Sequence, residues 1–371
     1  VKINKVVAVA AALGVAVAGI AFSAPAAYAE PVSNSYVLVG SDTLQDAVNA
    51  LANGTSISGA SVRVTASGSS IGSYDAFGST SIQVKPAGPT FGRPSGSGDG
   101  VKALSRSIDG ANWVKNGLTK SITGQVDLAR SSSGPSANPT GPLLYTPFSR
   151  DAVSYAYKFG AGVTSAAGID TLSSADLTSL YNGTLTSVGG VTVVPRLPQD
   201  GSGTRKFWVG ALGVGNSPAG VPDAATTTLQ ENDATQLTPA ANTIQIVPFS
   251  AASWIAQSNG ATGTNTIAGS GVSLGAIGGV VAFTGSGTAL VPDAPFYANT
   301  TFGRDTYIVV EFARVDPTSA TYDAGLASLV NTSAAKSLTN FGTSPATAGA
   351  VKKKFGFLAP STTNTQRANL S

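Results

Sequence analysis

Short apolar runs rich in β-branched residues alternate along this chain with stretches whose apolar positions recur at helical spacing. Tyr36-Val37-Leu38-Val39 predicts a buried strand. It runs into Gly40-Ser41-Asp42-Thr43, after which residues 44–51 predict an amphipathic helix closed near Gly54, with Ser41 or Asp42 as N-cap. Val62-Arg63-Val64 predicts a second strand. Residues 66–100 are rich in Gly, Ser and Pro and read as a long loop that ends in Ser95-Gly96-Ser97-Gly98-Asp99-Gly100, with a helix predicted over about residues 101–107. Residues 126–130 predict a strand leading into Ser131-Ser132-Ser133-Gly134.

In the second half, residues 152–157 alternate as a strand should. Ser173 and Asp176 are spaced as a capping box for a helix that ends at Tyr181-Asn182-Gly183. Residues 191–195 predict a strand that leads through Gln199-Asp200-Gly201-Ser202-Gly203-Thr204 into a helix over residues 205–212. Residues 244–247 and 307–312 predict strands, and residues 324–330 and 334–341 have helical spacing. Strands and helices alternate throughout, which favours an α/β architecture.

The first 29 residues have another character. Lys2 and Lys5 precede an apolar run, and Ala27-Tyr28-Ala29 supplies small residues before a cleavage point, so residues 1–29 are expected to be a signal peptide and the product exported. There is no Cys, hence no disulfide and no lipid-bearing Cys, and a secreted protein without a lipid anchor, free or held by the cell wall, is expected. There is no His either. That removes Ser-His-Asp and Cys-His catalysis and the zinc sites that need those ligands. Glu occurs only at positions 30, 231 and 311, and no carboxylate pair stands out for hydrolysis. The net charge of +3 has one dense basic run, Lys352-Lys353-Lys354, read as a solvated helix face rather than a nucleic-acid contact. Trp208 and Trp254 are read as core or lobe-surface aromatics. Composition thus favours a binder over an enzyme, with no cofactor.

One arrangement recurs at residues 40–43, 95–100 and 201–204: a strand, a Gly/Ser/Thr loop, then a helix start. The first N–H groups of a helix lack internal partners and carry partial positive charge. Gly allows close backbone approach and Ser or Thr adds donors, so the three turns together suit an oxyanion. None has the spacing of a nucleotide-binding phosphate loop.

On Gly40-Ser41-Asp42-Thr43, Gly96-Ser97-Gly98-Asp99-Gly100-Val101-Lys102, Val126-Asp127-Leu128-Ala129-Arg130-Ser131-Ser132 and Asp200-Gly201-Ser202-Gly203-Thr204, the chain resembles the phosphate-binding proteins of bacterial ATP-binding cassette transporters. Leu172 to Gly183 and Gly303-Arg304-Asp305-Thr306-Tyr307 extend the likeness in the same order. The resemblance implies a two-lobed, periplasmic-binding-protein-like fold of type II, each lobe a mixed sheet flanked by helices and joined by crossover strands. Residues 30–148 with 293–371 would form one lobe and 149–292 the other. Ser41, Asp42 and Thr43 would supply the first-loop contacts, Ser97 a first-lobe hydroxyl, and Ser202, Gly203 and Thr204 a second-lobe clamp. The implied partners are inorganic phosphate or a similar oxyanion and a transporter permease, with the binder itself a monomer. Two positions depart from the pattern. Ser132 stands where the family commonly has an Asp that accepts the proton of hydrogen phosphate, leaving Asp42 or Asp99 as substitutes. Pro198 stands where an Arg is usual, leaving Arg196, Arg205 or Arg130. These departures also fit an exported wall-associated protein that kept the fold without a small-anion ligand. A hydrolase working through Asp and Arg alone is the third reading.

Overall fold

The computed structural model describes residues 35–371; the expected signal peptide lies outside the described residues. The main sheet has ten strands. They are β1 (Tyr36–Gly40), β2 (Ile71–Ser73), β3 (Leu128–Ser131), β4 (Leu143–Phe159), β5 (Ser187–Val188), β6 (Val191–Pro195), β7 (Thr243–Ser250), β8 (Val272–Leu274), β9 (Gly303–Glu311) and β10 (Gln366–Ala368). Their order is β2-β1-β3-β9-β4-β7-β6-β5, with β8 and β10 also pairing β4. The helices that flank it are α1 (Gln45–Asn53), α2 (Ser97–Asp109), α3 (Ser174–Asn182), α4 (Gly203–Ala211), α5 (Ala251–Ser258), α6 (Ala294–Ala298), α7 (Ala324–Leu329) and α8 (Ala348–Lys354).

The sheet is two half-sheets joined by one strand. β4 pairs antiparallel with β9 over Leu143 to Ala152, then with β7 from Val153 to Phe159. Each half has its own core, and the fold is a two-lobed α/β one. In the first lobe, alternation decides the layers: Leu38, Ile308 and Val310 face one core, whereas Val37, Val39, Tyr307 and Val309 face the other. The first core is covered by α1, α7 and α8 and the second by α2. The second lobe gathers β4's later residues, α3, α4, Trp208, Trp254 and also Phe296, Tyr297 and Phe302. Trp208 stacks edge-on to Tyr181, with centroids 5.8 Å apart. Both Trp side chains are therefore core, as their helical setting suggests.

Several elements differ from the sequence expectation. The α1 N-cap is Leu44, whose apolar side chain can make no cap bond, and the Asp42 carboxyl accepts from Asn232 instead. Residues 62–64 form only a bridge between Val62 and Thr55, not a strand, and β2 lies later in the loop. α2 begins at Ser97, not near 101, so the Gly-rich turn is itself the first turn of the helix. Residues 334–341 make successive turns rather than a helix. Lys352 is not solvated: it is fully buried and donates to the carbonyls of Phe148 (2.6 Å) and Leu338 (3.0 Å). Only Lys353 and Lys354 of the triplet are exposed.

Other readings match. Ser173 and Asp176 form the capping box of α3, and Gly183 ends it in the left-handed conformation. β6 spans the expected residues. Gly100 in α2 packs on Gly40 at the end of β1; a Cβ on Gly100 would lie 2.5 Å from the Gly40 Cα. This contact holds the start of α2 against the loop after β1. Among the described residues, no helix is long and apolar enough to cross a membrane.

Candidate functional site

The three Gly/Ser/Thr turns meet where the lobes meet. α2 starts in the first lobe and α4 in the second, and the Gly98 N–H donates to the Gly201 carbonyl at 3.0 Å. The Gln199 side-chain amide donates to the Ser95 carbonyl at 3.0 Å. Thr43 and Thr204, from opposite lobes, place their hydroxyls 3.5 Å apart. Ser97 accepts from the Ser132 N–H (3.0 Å) and shares a bond with its hydroxyl (3.1 Å). Gly203 lies on that pair: a Cβ there would fall 2.2 Å from Ser97 Oγ and 2.3 Å from Ser132 Oγ. Gly203→Ala is therefore expected to prop the junction open. Small-angle scattering should show a larger radius of gyration, with little change in thermal midpoint because α4 itself tolerates Ala.

Arg304 sits at the centre. It comes from β9 and is buried, as is Asp151 on β4, which binds it through Nε (3.0 Å) and Nη2 (2.8 Å). Asp151 also accepts from the Ser250 hydroxyl and the Ala252 N–H, at the start of α5. The same Arg304 Nη2 reaches Thr43 Oγ1 (3.3 Å) and Thr204 Oγ1 (3.0 Å), touching both lobes at once. Arg304 Nη1 is buried without a partner, and so is the hydroxyl of Ser41. A buried donor left unpaired costs about 1–3 kcal/mol, more if charged, so each of these groups is open to a further acceptor, water or ligand.

Two acidic groups adjoin this centre. Glu231 is 2% exposed. Its Oε2 accepts from the Ser202 hydroxyl and from the Thr204 N–H (3.2 Å), and its Oε1 has no partner. Asn232 follows in the left-handed region (φ 60°) and sends its side-chain amide to Asp42 Oδ2 at 2.9 Å. Burial, reinforced by the nearby Glu231, holds the Asp42 carboxyl well above the usual carboxylate range. Asp99 lies against Gly201 of the clamp turn, where a Cβ would fall 3.3 Å from its Cγ, but its carboxylate is taken by Lys115 and Ser95. Two grooves of about 480 and 390 Å³ open at the lobe junction, one lined by Phe77, Arg93, Gln199 and Gln230, the other by Gly98, Ser133, Gly203 and Lys206.

Of the residues expected from sequence, the structure thus gathers Ser41, Asp42, Thr43, Ser97, Ser132, Ser202, Gly203 and Thr204. The candidate arginines are committed elsewhere. Arg196 makes a two-toothed pair with Asp223 (3.2 and 2.7 Å). Arg205 donates to Asn216, Pro198 and Ala224 within the second lobe. Arg130 ties together the ends of β1, β2 and β3 through Ser41, Ser73 and Tyr74. Arg304, Asp151, Glu231 and Asn232 were not foreseen. One signal was present: an Arg within a strand that continues as Tyr-Ile-Val-Val must be buried and so needs a partner. Among the described residues no cluster of three or more Asp, Glu, His or Cys side chains suited to a metal occurs.

No family model and no curated protein matches the chain. In fold it is similar to several solved structures. The ABC-type phosphate transport receptor from Vibrio cholerae is 13% identical, the match covering 88% of this chain and 100% of that one, with a TM-score of 0.46. The periplasmic phosphate-binding protein PfluDING is 18% identical over 88% and 91% of the two chains, TM-score 0.45. A phosphate-binding protein from Stenotrophomonas maltophilia is 12% identical over 89% and 92%, TM-score 0.44.

Proposed function

We propose that this chain is an exported solute-binding protein that holds a small oxyanion, phosphate, at the lobe junction and releases it unchanged. One observation carries the reading: Arg304, buried on β9 where it pairs with the crossing strand β4, touches hydroxyls of both lobes and keeps Nη1 without a partner. A buried guanidinium with a spare N–H is a strong anion donor, worth about 1.5–3 kcal/mol per charge-assisted bond. Ser41, Thr43, Ser97, Ser132 and the α4 turn add neutral donors. Asp42, whose carboxyl burial holds well above the usual carboxylate range, faces the second lobe through its bond from Asn232. Ligand contacts from both lobes favour the shut arrangement, which couples occupancy to shape. A transporter permease would read that shape in a monomeric binder.

Calorimetry on protein stripped of ligand by unfolding and refolding provides the test. Phosphate is expected to bind with measurable heat, and sulfate titrated in parallel reads the selectivity of the site. A second reading has its own support. Glu231 already occupies the α4 turn, as a wall-associated protein without a small ligand would allow. Silence toward every oxyanion would favour that reading over ours.

A further inference from the structure

We propose that Glu231 is a built-in stand-in for the ligand: its carboxylate occupies the second-lobe anion clamp, and an incoming oxyanion takes over its donors. The inference rests on the oxyanion reading above and adds a residue that sets affinity. The geometry is that of a bound anion. The Glu231 Oε2 takes the Ser202 hydroxyl and the Thr204 N–H at the N-terminus of α4, where a hydroxyl, an amide and the helix dipole favour negative charge. It is not a capping box: Glu231 comes from a separate segment, 29 residues beyond Ser202. Its other oxygen is buried and unpaired, so the carboxylate is held by half of its binding capacity. A tetrahedral oxyanion brings more acceptor oxygens to the same point, and the Thr204 hydroxyl there already receives Arg304 Nη2.

The neighbouring residue makes the contact consequential. Asn232 reaches across to Asp42 in the first lobe while its Oδ1 accepts from the Ser250 N–H at 3.0 Å. Residues 231 and 232 thus latch the α4 turn to the opposite lobe by the protein's own groups. Exchange of Glu231 for ligand converts a self-held junction into a ligand-held one.

The test compares Glu231→Ala and Glu231→Gln with the unaltered full chain, all stripped of ligand. Both variants are expected to bind phosphate more tightly, Glu231→Ala by about 10-fold or more, because one charge-assisted competitor is removed. Acetate is expected to raise the thermal midpoint of Glu231→Ala, by refilling the vacated donors, and not that of the unaltered protein. Phosphate binding equal to or weaker than the unaltered protein's in both variants would overturn the stand-in and leave the oxyanion site intact. Silence of all three proteins toward phosphate, with acetate still stabilising Glu231→Ala, would sink the phosphate reading and keep the internal anion. If Glu231→Ala does not fold, the Glu231→Gln titration decides alone, since Gln preserves size and one acceptor.

Discussion

Replacing Arg304 by Met is expected to abolish phosphate heat and to destabilise the fold by about 3–5 kcal/mol, because it strands the Asp151 carboxylate in the core without its cation. Asp151 keeps its bonds from Ser250 and Ala252, which limits but does not cancel the cost. Pairing the change with Asp151→Asn separates the two effects. The double variant is expected to recover much of the lost stability, as read by urea unfolding, and to remain silent toward phosphate. Recovery of binding in the double variant would show that Arg304 acts only as a partner for Asp151. Arg304→Lys is expected to fold better than Arg304→Met but to bind poorly, since an ammonium cannot hold Asp151 through two nitrogens and still span Thr43 and Thr204.

The second large effect concerns Lys352. Burial alone pushes its ammonium well below the ordinary value of 10.5. The Phe148 ring at 4.2 Å, the Phe341 ring at 4.8 Å and two carbonyls favour the charged form, but no carboxylate accompanies them, and desolvation dominates. The folded chain thus binds fewer protons than the unfolded one between the depressed value and 10.5. Stability from this group is complete above 10.5 and is lost as pH falls toward the folded value, with a slope of at most about 1.4 kcal/mol per pH unit. Lys352→Met is expected to flatten that slope. At pH 10 the variant should be the less stable of the two, with two carbonyls left unpaired; the gap should narrow or reverse toward neutrality. Parallel urea midpoints across pH 6–10 in both proteins would contradict this assignment.

These two residues also mark the limit of what could be read in advance. Local signals carried well: Ser173 with Asp176 predicted a cap because both partners lie within one turn, and the apolar run at 307–312 predicted a strand that the structure places in β9. The Gly/Ser turns were legible for the same reason, whereas their meeting at one junction rests on long-range contacts such as that of Gly98 with Gly201. What was missed depends on partners far away in sequence. Lys352 looks like the edge of a solvated triplet until its position against Phe148, 204 residues away, is known. Glu231 stands 27 residues from Thr204 in an unremarkable polar stretch, and Arg304 is 153 from Asp151. The arginines nearest the clamp in sequence drew attention instead, yet Arg196 and Arg205 each found a local partner. Residues 334–341 had helical spacing, but Leu338 and its neighbours are satisfied by successive turns packed on α8, so period alone misled there.

β4 passes unbroken from one half-sheet to the other, and this restricts how the molecule can gape. There is no slack hinge loop at the crossing: Ala152 and Val153 change partners between adjacent residues, and the Val153 N–H is tied to the Phe302 carbonyl at 2.8 Å where the returning chain enters β9. Any separation of the halves must be taken up as torsion in a hydrogen-bonded ribbon, which resists and recoils. The stroke is accordingly short, and protease nicks in the rim loops would leave the halves sprung together rather than adrift.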